Sequence, residues 1–274
     1  MTGDNQSVQA VTAAEVRASF EHGEFVVLYQ PIVSLRTGKL LSAEGLVRWL
    51  HPTLGTLSPG RFLPAVARAG RMDELGAWVL LTICAQARSW QDAGIAVPCV
   101  GFNPSEEQFR PTSLRDLVRA ALDDTGLPPQ RLTLELHEAV MGDAERASAT
   151  LQETATLGVR LWLDDFATGP PHLRNLKRFP FDILKLDRSY IADIAVDAGD
   201  EAIAAAIIGL AHALGIEVVA EGVTTEAQLA VLRRHECDHI QGYLFSHPLE
   251  AGALSTFLSE GQHGDIDPLG LLRP

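Results

Sequence analysis

The sequence predicts an α/β fold: a closed (β/α)8 barrel of the TIM type with an antiparallel first strand. Apolar, β-like runs alternate with helical patterns along most of the chain, which indicates a parallel sheet. About eight such strands in one domain of this size favour a closed barrel over an open sheet. The first two runs are joined by the short turn Arg36-Thr37-Gly38 and by no helix, which suits a hairpin.

The predicted elements follow one another in chain order. We place strands at residues 24–33, 40–49, 97–103, 132–138, 159–166, 181–188, 216–223 and 240–245. We place helices at residues 73–93, 113–125, 144–157, 200–214 and 225–235. Three segments follow from this pattern: an N-terminal extension (1–19), the barrel (20–260) and a flexible C-terminal tail (261–274), which contains Gly, Pro and polar residues.

The composition is that of a globular domain with acidic character. Of the 274 residues, 46% are hydrophobic and 21% are charged, unlike a disordered chain. Lys and Arg total 22 against 35 Asp and Glu, which gives a net charge of −13. This excess disfavours binding to polymeric nucleic acid, which needs basic charge to release counterions. It permits a metal site, because clustered carboxylates repel one another without a cation.

The sequence also bears on the compartment. Its apolar stretches are shorter than the roughly 18 residues that a membrane-spanning helix needs, so we expect no membrane span. The first residues lack the order of a signal peptide. Three scattered cysteines without a CxxC pair indicate a reducing compartment. We therefore expect a cytoplasmic protein.

Polar residues end most of the predicted strands. In a barrel, the carboxyl ends of the strands meet on one face, where catalytic sites are built. For any single residue, contact with solvent at the end of a strand is an equally good explanation, but it is a poor one for the whole set. The residues are Glu44, Arg48, Asn103, Glu135, Glu138, Asp164, Asp165, Lys185, Asp187, Glu221 and Gln241.

Two of these positions point to metal chemistry. The adjacent carboxylates of Asp164 and Asp165 repel each other and point apart unless a cation or a sharp bend gathers them. Two ions would resolve this, and the alternative is that one aspartate caps the next helix.

Lys185 is flanked by leucines, and a lysine is seldom buried unless it is paired. Lys185 therefore either takes part in the function of the site or forms a structural ion pair with Asp187.

The expected donors are carboxylates and one amide, without histidine. Hard oxygen ligands favour Mg²⁺ or Mn²⁺ over Zn²⁺. Two such ions beside a lysine suit the hydrolysis of a phosphoester, since they can activate water and hold the attacking and leaving oxygens.

A competing motif lies near the end of the chain. His235-Glu236-Cys237-Asp238-His239 matches the H-E-x-x-H pattern of zinc proteases. That pattern requires a continuous helix, whereas here the helical pattern ends near Arg234 and an extended run begins at Ile240. We therefore favour a solvated loop between a helix and a strand.

Taken in order, the motifs resemble the EAL-domain family of cyclic di-GMP phosphodiesterases from about residue 20 to residue 257. The family's Glu–Ala–Leu signature stands here as Glu44-Gly45-Leu46. Its acidic motif stands as Glu135-Leu136-His137-Glu138, where His137 replaces a usual threonine. The other motifs are Phe102-Asn103-Pro104-Ser105, Asp164-Asp165-Phe166, Lys185-Leu186-Asp187-Arg188, Ala220-Glu221-Gly222-Val223 and Gln241-Gly242-Tyr243-Leu244-Phe245.

The resemblance implies an enzyme that hydrolyses cyclic di-GMP to linear pGpG with a water activated by two Mg²⁺ or Mn²⁺ ions. The metal ligands that it implies are Glu44, Asn103, Glu135, Asp164, Asp165 and Glu221. The catalytic residues that it implies are Glu221 as a candidate base, Lys185 and Gln241 to orient the water, and Glu138 to anchor the loop after Asp165. The substrate-binding residues that it implies are Arg48, against a phosphate, together with Gln30, Leu46 and Asp187.

Two departures from the family lie near this site. Residues 167–172 read Ala-Thr-Gly-Pro-Pro-His where the family usually has Gly-Thr-Gly-Tyr-Ser-Ser, and Thr224 replaces a frequent glutamate. In the family the first loop supports the metals and a dimer contact, so a homodimer and the catalytic rate both depend on it. The alternative to an active enzyme is a catalytically weak or inactive receptor for cyclic di-GMP, and a third reading is a non-nucleotide enzyme such as the zinc protease.

Overall fold

The computed structural model describes residues 11–109, 113–139, 144–166 and 176–260. The strands are β1 (Phe25–Ser34), β2 (Leu40–His51), β3 (Gly55–Leu57), β4 (Val100–Phe102), β5 (Leu132–His137), β6 (Arg160–Phe166), β7 (Ile183–Leu186), β8 (Glu217–Ala220) and β9 (His239–Ile240). The α-helices are α1 (Ala13–His22), α2 (Pro59–Arg68), α3 (Met72–Asp92), α4 (Ser113–Thr125), α5 (Ala144–Ala155), α6 (Arg188–Ile191), α7 (Ala198–Ala213), α8 (Glu226–Arg234) and α9 (Ala251–Glu260). A 3₁₀ turn, Pro129–Arg131, precedes β5.

Eight of these strands close into a barrel. Their order is β1-β2-β4-β5-β6-β7-β8-β9, and β9 returns to β1. β1 is antiparallel to both of its neighbours, while the other neighbouring strands of the ring are parallel. The predicted (β/α)8 barrel with an antiparallel first strand is therefore confirmed.

The hairpin between β1 and β2 sets the register of the site. Gly38 lies in its turn with a φ of 67°, a conformation that glycine adopts at low cost. The pairing places Gln30 opposite Glu44, and β2 in turn pairs Glu44 with Gly101 of β4. Two of the predicted site residues thus become neighbours through backbone hydrogen bonding.

Several elements lie outside the predicted pattern: helices α1, α2, α6 and α9, strand β3 and the 3₁₀ turn. Helix α1 begins with a capping box, in which Thr12 accepts from the backbone of Glu15 and the Glu15 carboxylate accepts from that of Thr12. Helix α2 begins with Pro at its first position, after Ser58. The short strand β3 pairs antiparallel with β2 and lies outside the ring of eight strands. The boundary placed at residue 20 falls inside α1, and the division into domains stays a prediction.

The last predicted strand, 240–245, is shorter in the structure. β9 is two residues long, and Gln241 follows it directly. Residues 242–246 form a turn in which the backbone N–H groups of Phe245 and Ser246 donate to the carbonyl of Gly242. The tail 261–274 and the departing loop 167–172 lie outside the described residues, so both expectations stay predictions.

An apolar layer fills the barrel below the site. It consists of Ile32, Trp162, Ile183 and Val219, with Leu41 packed against them. Side chains alternate along a strand, so the next inward position on each strand lies one layer closer to the carboxyl ends. Those next positions carry polar groups, which include Asp164 after Trp162, Lys185 after Ile183 and Glu221 after Val219.

Two remaining observations concern the environment. Cys84, Cys99 and Cys237 are buried and form no disulfide. Among the described residues, every helix falls short of the length or the apolar character that crossing a bilayer requires. The cytoplasmic location stays a prediction.

Gly45, in the middle of β2, allows a close approach of helix α3. A Cβ atom on Gly45 would overlap Cδ1 and Cγ1 of Ile83, and it would lie 3.1 Å from the carbonyl oxygen of Gly101. Ile83 is fully buried. Its side chain therefore fills the space that an alanine methyl group would take, which ties the Glu-Gly-Leu sequence of this chain to the residue packed against it.

We expect Gly45→Ala to destabilise the protein by about 1–3 kcal/mol because it overpacks a filled core. Combining it with Ile83→Val, which removes the Cδ1 atom, should recover at least about 0.5 kcal/mol relative to the sum of the single changes. Urea unfolding of the four proteins measures this coupling. Gly60→Ala is the matched control, because a Cβ there meets nothing within 4 Å. Strict additivity would show that Ile83 does not restrict position 45.

Candidate active site

The centre of the site is the ammonium group of Lys185, which is fully buried at the end of β7. Four carboxylates, which lie in or directly after four other strands, surround its Nζ atom. The distances from Nζ are 2.5 Å to Glu135 Oε2, 2.6 Å to Glu221 Oε1, 3.2 Å to Asp164 Oδ1 and 3.4 Å to Glu44 Oε2. The alternative that Lys185 serves only an ion pair with Asp187 is wrong, since Asp187 instead accepts from the backbone N–H of Ser189 at 3.0 Å and caps α6.

The buried charges perturb one another. Burial alone would lower the pKa of Lys185, but the surrounding carboxylates outweigh burial and hold this pKa well above its usual value. Burial raises the pKa of Glu221 to about 8, although Lys185 opposes the shift. Burial also raises the pKa of Glu135 and of Asp164. One ammonium cannot neutralise four carboxylates, so the site retains affinity for further positive charge.

The side-chain amide groups of Asn103 and Gln241 hold Glu44 in place through hydrogen bonds. Asn103 Nδ2 donates to Glu44 Oε1 at 2.8 Å, and Gln241 Nε2 donates to Glu44 Oε2 at 2.6 Å. Gln241 also lies 3.4 Å from the side-chain oxygen of Gln30, which ties the β1 strand to this group. Burial alone would raise the pKa of Glu44, but the charge of Lys185 and the hydrogen bond from Gln241 outweigh it, so this pKa is lowered.

Two glycines make room for these side chains. A Cβ on Gly101 would overlap Oε1 of Glu135, so the carboxylate lies directly over this backbone position. A Cβ on Gly242 would overlap the backbone of Val223, which brings the residue after Gln241 against the loop that follows β8. At both positions a neighbouring group lies so close to the backbone that a Cβ atom would not fit, so each position requires glycine.

The paired aspartates are separated by a bend in the backbone. Asp165 has a φ of 52°, which is uncommon for a residue other than glycine, and the pairing of β6 with β7 shifts between Leu163 and Phe166. The bend turns Asp165 towards His137, whose Nδ1 lies 2.9 Å from Asp165 Oδ2. This hydrogen bond is the main cause that lowers the pKa of Asp165 and raises that of His137.

The donor set fits divalent cations. Ligand atoms of Asp165, Asp187 and Glu221 lie within 4.8 Å of one another, and so do those of His137, Asp164 and Asp165. Oε1 of Glu135 is buried without a hydrogen-bond donor among the described residues, as is the side-chain oxygen of Gln241. Buried oxygens that lack a donor, next to an excess of carboxylates, are what a site for hard cations offers.

Two adjoining cavities open onto this centre. One, of about 940 Å³, is lined by residues after β7, β8 and β9, among them Asp187, Glu221 and Gln241. The other, of about 520 Å³, lies between the loop after β4 and helices α2 and α3. Glu44, Leu46, Pro59 and Asp164 line both cavities. The carboxylate cluster thus lies where the two cavities meet.

The structure brings most of the predicted site residues together, and it places a few apart. Gln30, Leu46 and Asp187, predicted to bind substrate, line the larger cavity. Arg48 lines neither cavity as the structure describes them, and its guanidinium donates to the carbonyl of Val47. Glu138 is buried just after β5, but the loop it was predicted to anchor lies outside the described residues.

The expectations drawn from the sequence give His137 no role, and they place Asp187 either in contact with the substrate or in an ion pair with Lys185. They also exclude histidine from the donor set, whereas the structure places His137 beside Asp165. The signal for His137 is its spacing, since it lies two positions after Glu135 and so on the same face of β5. Asp187 carries the same signal, since it lies two positions after Lys185, whereas its approach to Asp165 depends on the bend at residue 165.

The H-E-x-x-H pattern does not lie on a continuous helix. Helix α8 ends at Arg234, and Glu236 has a φ of 56°. His235 Nε2 lies 2.7 Å from Glu201 Oε1, whereas His239, in β9, pairs with Glu217 at 3.0 Å. The two histidines therefore have separate carboxylate partners. The expected connection between a helix and a strand is present, but it is not fully solvated, because Cys237 is buried and His239 is buried within β9.

We expect Lys185→Met to destabilise the protein in metal-free buffer by about 3–5 kcal/mol, because it leaves buried carboxylates without their positive partner. Mg²⁺ or Mn²⁺ should then raise the melting temperature of this variant more than that of the wild type, because a bound ion supplies the missing charge. Thermal unfolding with and without each ion measures both effects. Lys39→Met, at an exposed lysine, is the matched control. Equal shifts in variant and wild type would argue against ion binding at these carboxylates.

Comparison with known proteins assigns this architecture to a family. The family model described as "EAL domain" matches residues 13–248. The chain is 42% identical over 256 residues to the cyclic di-GMP phosphodiesterase NbdA of Pseudomonas aeruginosa, covering 93% of this chain and 33% of that protein. It is 39% identical over 251 residues to the bifunctional diguanylate cyclase/cyclic di-GMP phosphodiesterase MucR of the same organism, covering 91% of this chain and 37% of that protein.

Solved structures agree with this assignment. A complex of the PaMucR phosphodiesterase with c-di-GMP superposes with a TM-score of 0.85 at 40% identity, covering 88% of this chain and 98% of that one. The EAL enzyme Bd1971, in a form bound to cAMP and cyclic di-GMP, also gives a TM-score of 0.85 at 30% identity, over 90% of this chain and 68% of that one. The chain spans about a third of the length of the curated relatives named above. With its barrel, its strand-end carboxylates and these matches, the chain belongs to the EAL domain family.

Proposed function

We propose that this chain is a metal-dependent phosphodiesterase that hydrolyses cyclic di-GMP to linear pGpG. The observation that carries the proposal is the convergence of Glu44, Glu135, Asp164 and Glu221 on the buried ammonium of Lys185. One relative, at 42% identity, is named a cyclic di-GMP phosphodiesterase, and another, at 39% identity, is named a bifunctional diguanylate cyclase/cyclic di-GMP phosphodiesterase. A structural neighbour at 40% identity is a c-di-GMP complex.

Two divalent ions, Mg²⁺ or Mn²⁺, fit the donor set. The residues that would hold them are Glu44, Asn103, Glu135, Asp164, Asp165 and Glu221. When bound, the ions would supply a water acidic enough to attack at neutral pH, and positive charge against the phosphate oxygens. The excess of carboxylate over ammonium in the cluster supports this arrangement.

The remaining residues act on the water and on the substrate. Lys185 Nζ and Gln241 Nε2 both contact Oε2 of Glu44, so their donors face the same space and suit the orientation of an attacking water. Glu221, whose pKa burial raises, is the candidate to accept a proton from that water. Arg48 is assigned to a phosphate oxygen, since its guanidinium carries further N–H donors besides the one that donates to the carbonyl of Val47.

The shape of the site suits a ligand with two bases. The two cavities of about 520 and 940 Å³ meet at the carboxylate cluster, so a cyclic dinucleotide can extend into both while one phosphate lies over the cluster. The smaller cavity has apolar walls from Leu63, Met72 and Leu75, which suit the face of a planar base.

We expect Glu44→Gln and Asp164→Asn each to reduce the turnover of cyclic di-GMP by at least about a thousandfold, roughly 4 kcal/mol of barrier. Each change removes an anionic ligand while it keeps the shape of the side chain. Chromatographic detection of pGpG with Mg²⁺ or Mn²⁺ measures the rate. Glu226→Gln, at an exposed position on α8, is the control. Near wild-type activity in either site variant would mean that the site is wrongly assigned.

The altered loop 167–172 carries the second candidate function, a receptor that binds cyclic di-GMP with little or no turnover. We expect the wild type to produce pGpG, and we expect restoring the family's Gly-Thr-Gly-Tyr-Ser-Ser segment to change the rate by less than about a hundredfold, roughly 2.7 kcal/mol. A wild type that binds the dinucleotide in Mg²⁺ without cleaving it, while the restored loop turns over, would identify a receptor.

A further inference from the structure

We propose that His137 is a nitrogen ligand of the ion held by Asp164 and Asp165, and that it shifts the metal preference of this centre from Mg²⁺ towards Mn²⁺ and the later first-row ions. The inference deepens the proposed function and rests on its metal centre. It concerns a residue of this chain that stands where the family usually has threonine, a side chain with no nitrogen donor.

The position of His137 on its strand supports this assignment. It is the last residue of β5, two positions after Glu135, and so its side chain faces the centre as that of Glu135 does. It also pairs in register with Asp164 on the neighbouring β6. Strand alternation and register therefore bring an imidazole to the rim of the carboxylate cluster without any contribution from the surrounding loops.

The distances fit shared coordination. Nδ1 of His137 lies 2.9 Å from Oδ2 of Asp165, and ligand atoms of both residues and of Asp164 lie within 4.8 Å of one another. Two donors about 2.1 Å from one ion, at right angles to each other, are roughly 3 Å apart. An ion can therefore take the place of the proton between Nδ1 and Oδ2 with little movement of either side chain.

The backbone of Asp165 provides an independent observation. Its φ of 52° is a conformation that carries strain for a residue with a side chain, and here it directs the carboxylate towards His137. Asp164 Oδ1 is buried and receives no hydrogen bond among the described residues, although it lies 3.2 Å from Lys185 Nζ. The bend thus assembles one imidazole and two carboxylates around a common space.

A different role is also compatible with the short contact. His137 would then be a positioning residue that donates a hydrogen bond to Asp165 and never touches the ion. The two roles differ in the metal preference they produce, because imidazole favours first-row transition ions whereas carboxylate and water favour Mg²⁺. They also differ in a spectroscopic signature, since only a direct ligand couples its nitrogen nucleus to the unpaired electrons of Mn²⁺.

The test is an electron spin-echo envelope modulation measurement on the full chain loaded with Mn²⁺. This measurement detects nuclei that are coupled to the unpaired electrons of the ion. We expect the modulation of a directly bound ¹⁴N nucleus in the wild type, replaced by a ¹⁵N pattern after labelling with ¹⁵N-histidine. His137→Gln and His137→Thr should both lose it. His212→Gln is the matched control and should keep the signal, because the Nε2 atom of His212 pairs with Asp238 Oδ2 at 2.9 Å and not with a carboxylate of the cluster.

Metal selectivity gives a second readout. Calorimetric titration should show that the ratio of the Mg²⁺ to the Mn²⁺ dissociation constant falls about tenfold in His137→Thr, because its centre is left with oxygen donors. Stoichiometric Mn²⁺ binding by the wild type without nitrogen modulation would overturn this inference and leave the proposed function standing. Failure of the wild type to bind Mn²⁺ or Mg²⁺ at all would overturn both.

Discussion

The interaction on which the site depends is the buried ion cluster around Lys185. Its ammonium draws together carboxylates from β2, β5, β6 and the end of β8, so the cluster forms only when the barrel closes in register. The apolar layer of Ile32, Trp162, Ile183 and Val219 lies directly below, and its side chains are buried from solvent. Charges on the edge of such a low-dielectric layer interact strongly, which is why their pKa values move so far from the usual range.

The same cluster explains why several small residues cannot be larger. Glu135 lies over Gly101, and the residue after Gln241 must pass close to the backbone of Val223. Gly45, which follows Glu44 in β2, is restricted in the same way, because Ile83 on α3 occupies the space beside it. Strand and helix residues therefore pack into the same limited volume. A larger side chain at one position requires a smaller one at the neighbouring position.

The sequence predicts the parts that follow from periodicity and misses those that follow from a single backbone angle. Alternation identified the strands and their polar ends, and the missing helix after residue 34 identified the antiparallel strand. Helices α1, α2, α6 and α9 lie outside the predicted pattern. For α1 and α2 the sequence does carry capping signals, which are Thr12 with Glu15 and Ser58 with Pro59. The approach of Asp165 to His137 could not be predicted, because it depends on a φ of 52° that no local pattern encodes.

Stability and metal binding are linked in such a cluster. Without ions, the raised pKa of Glu135, Asp164 and Glu221 means that folding opposes full ionisation of these groups. A divalent ion that binds only the folded state removes this opposition, and it stabilises the fold in proportion to the logarithm of its concentration over its dissociation constant. Residues that hold the ion therefore support the barrel as well as the chemistry. If His137 is a ligand as proposed, the same reasoning means that the donor at position 137 helps to set which ion stabilises the fold.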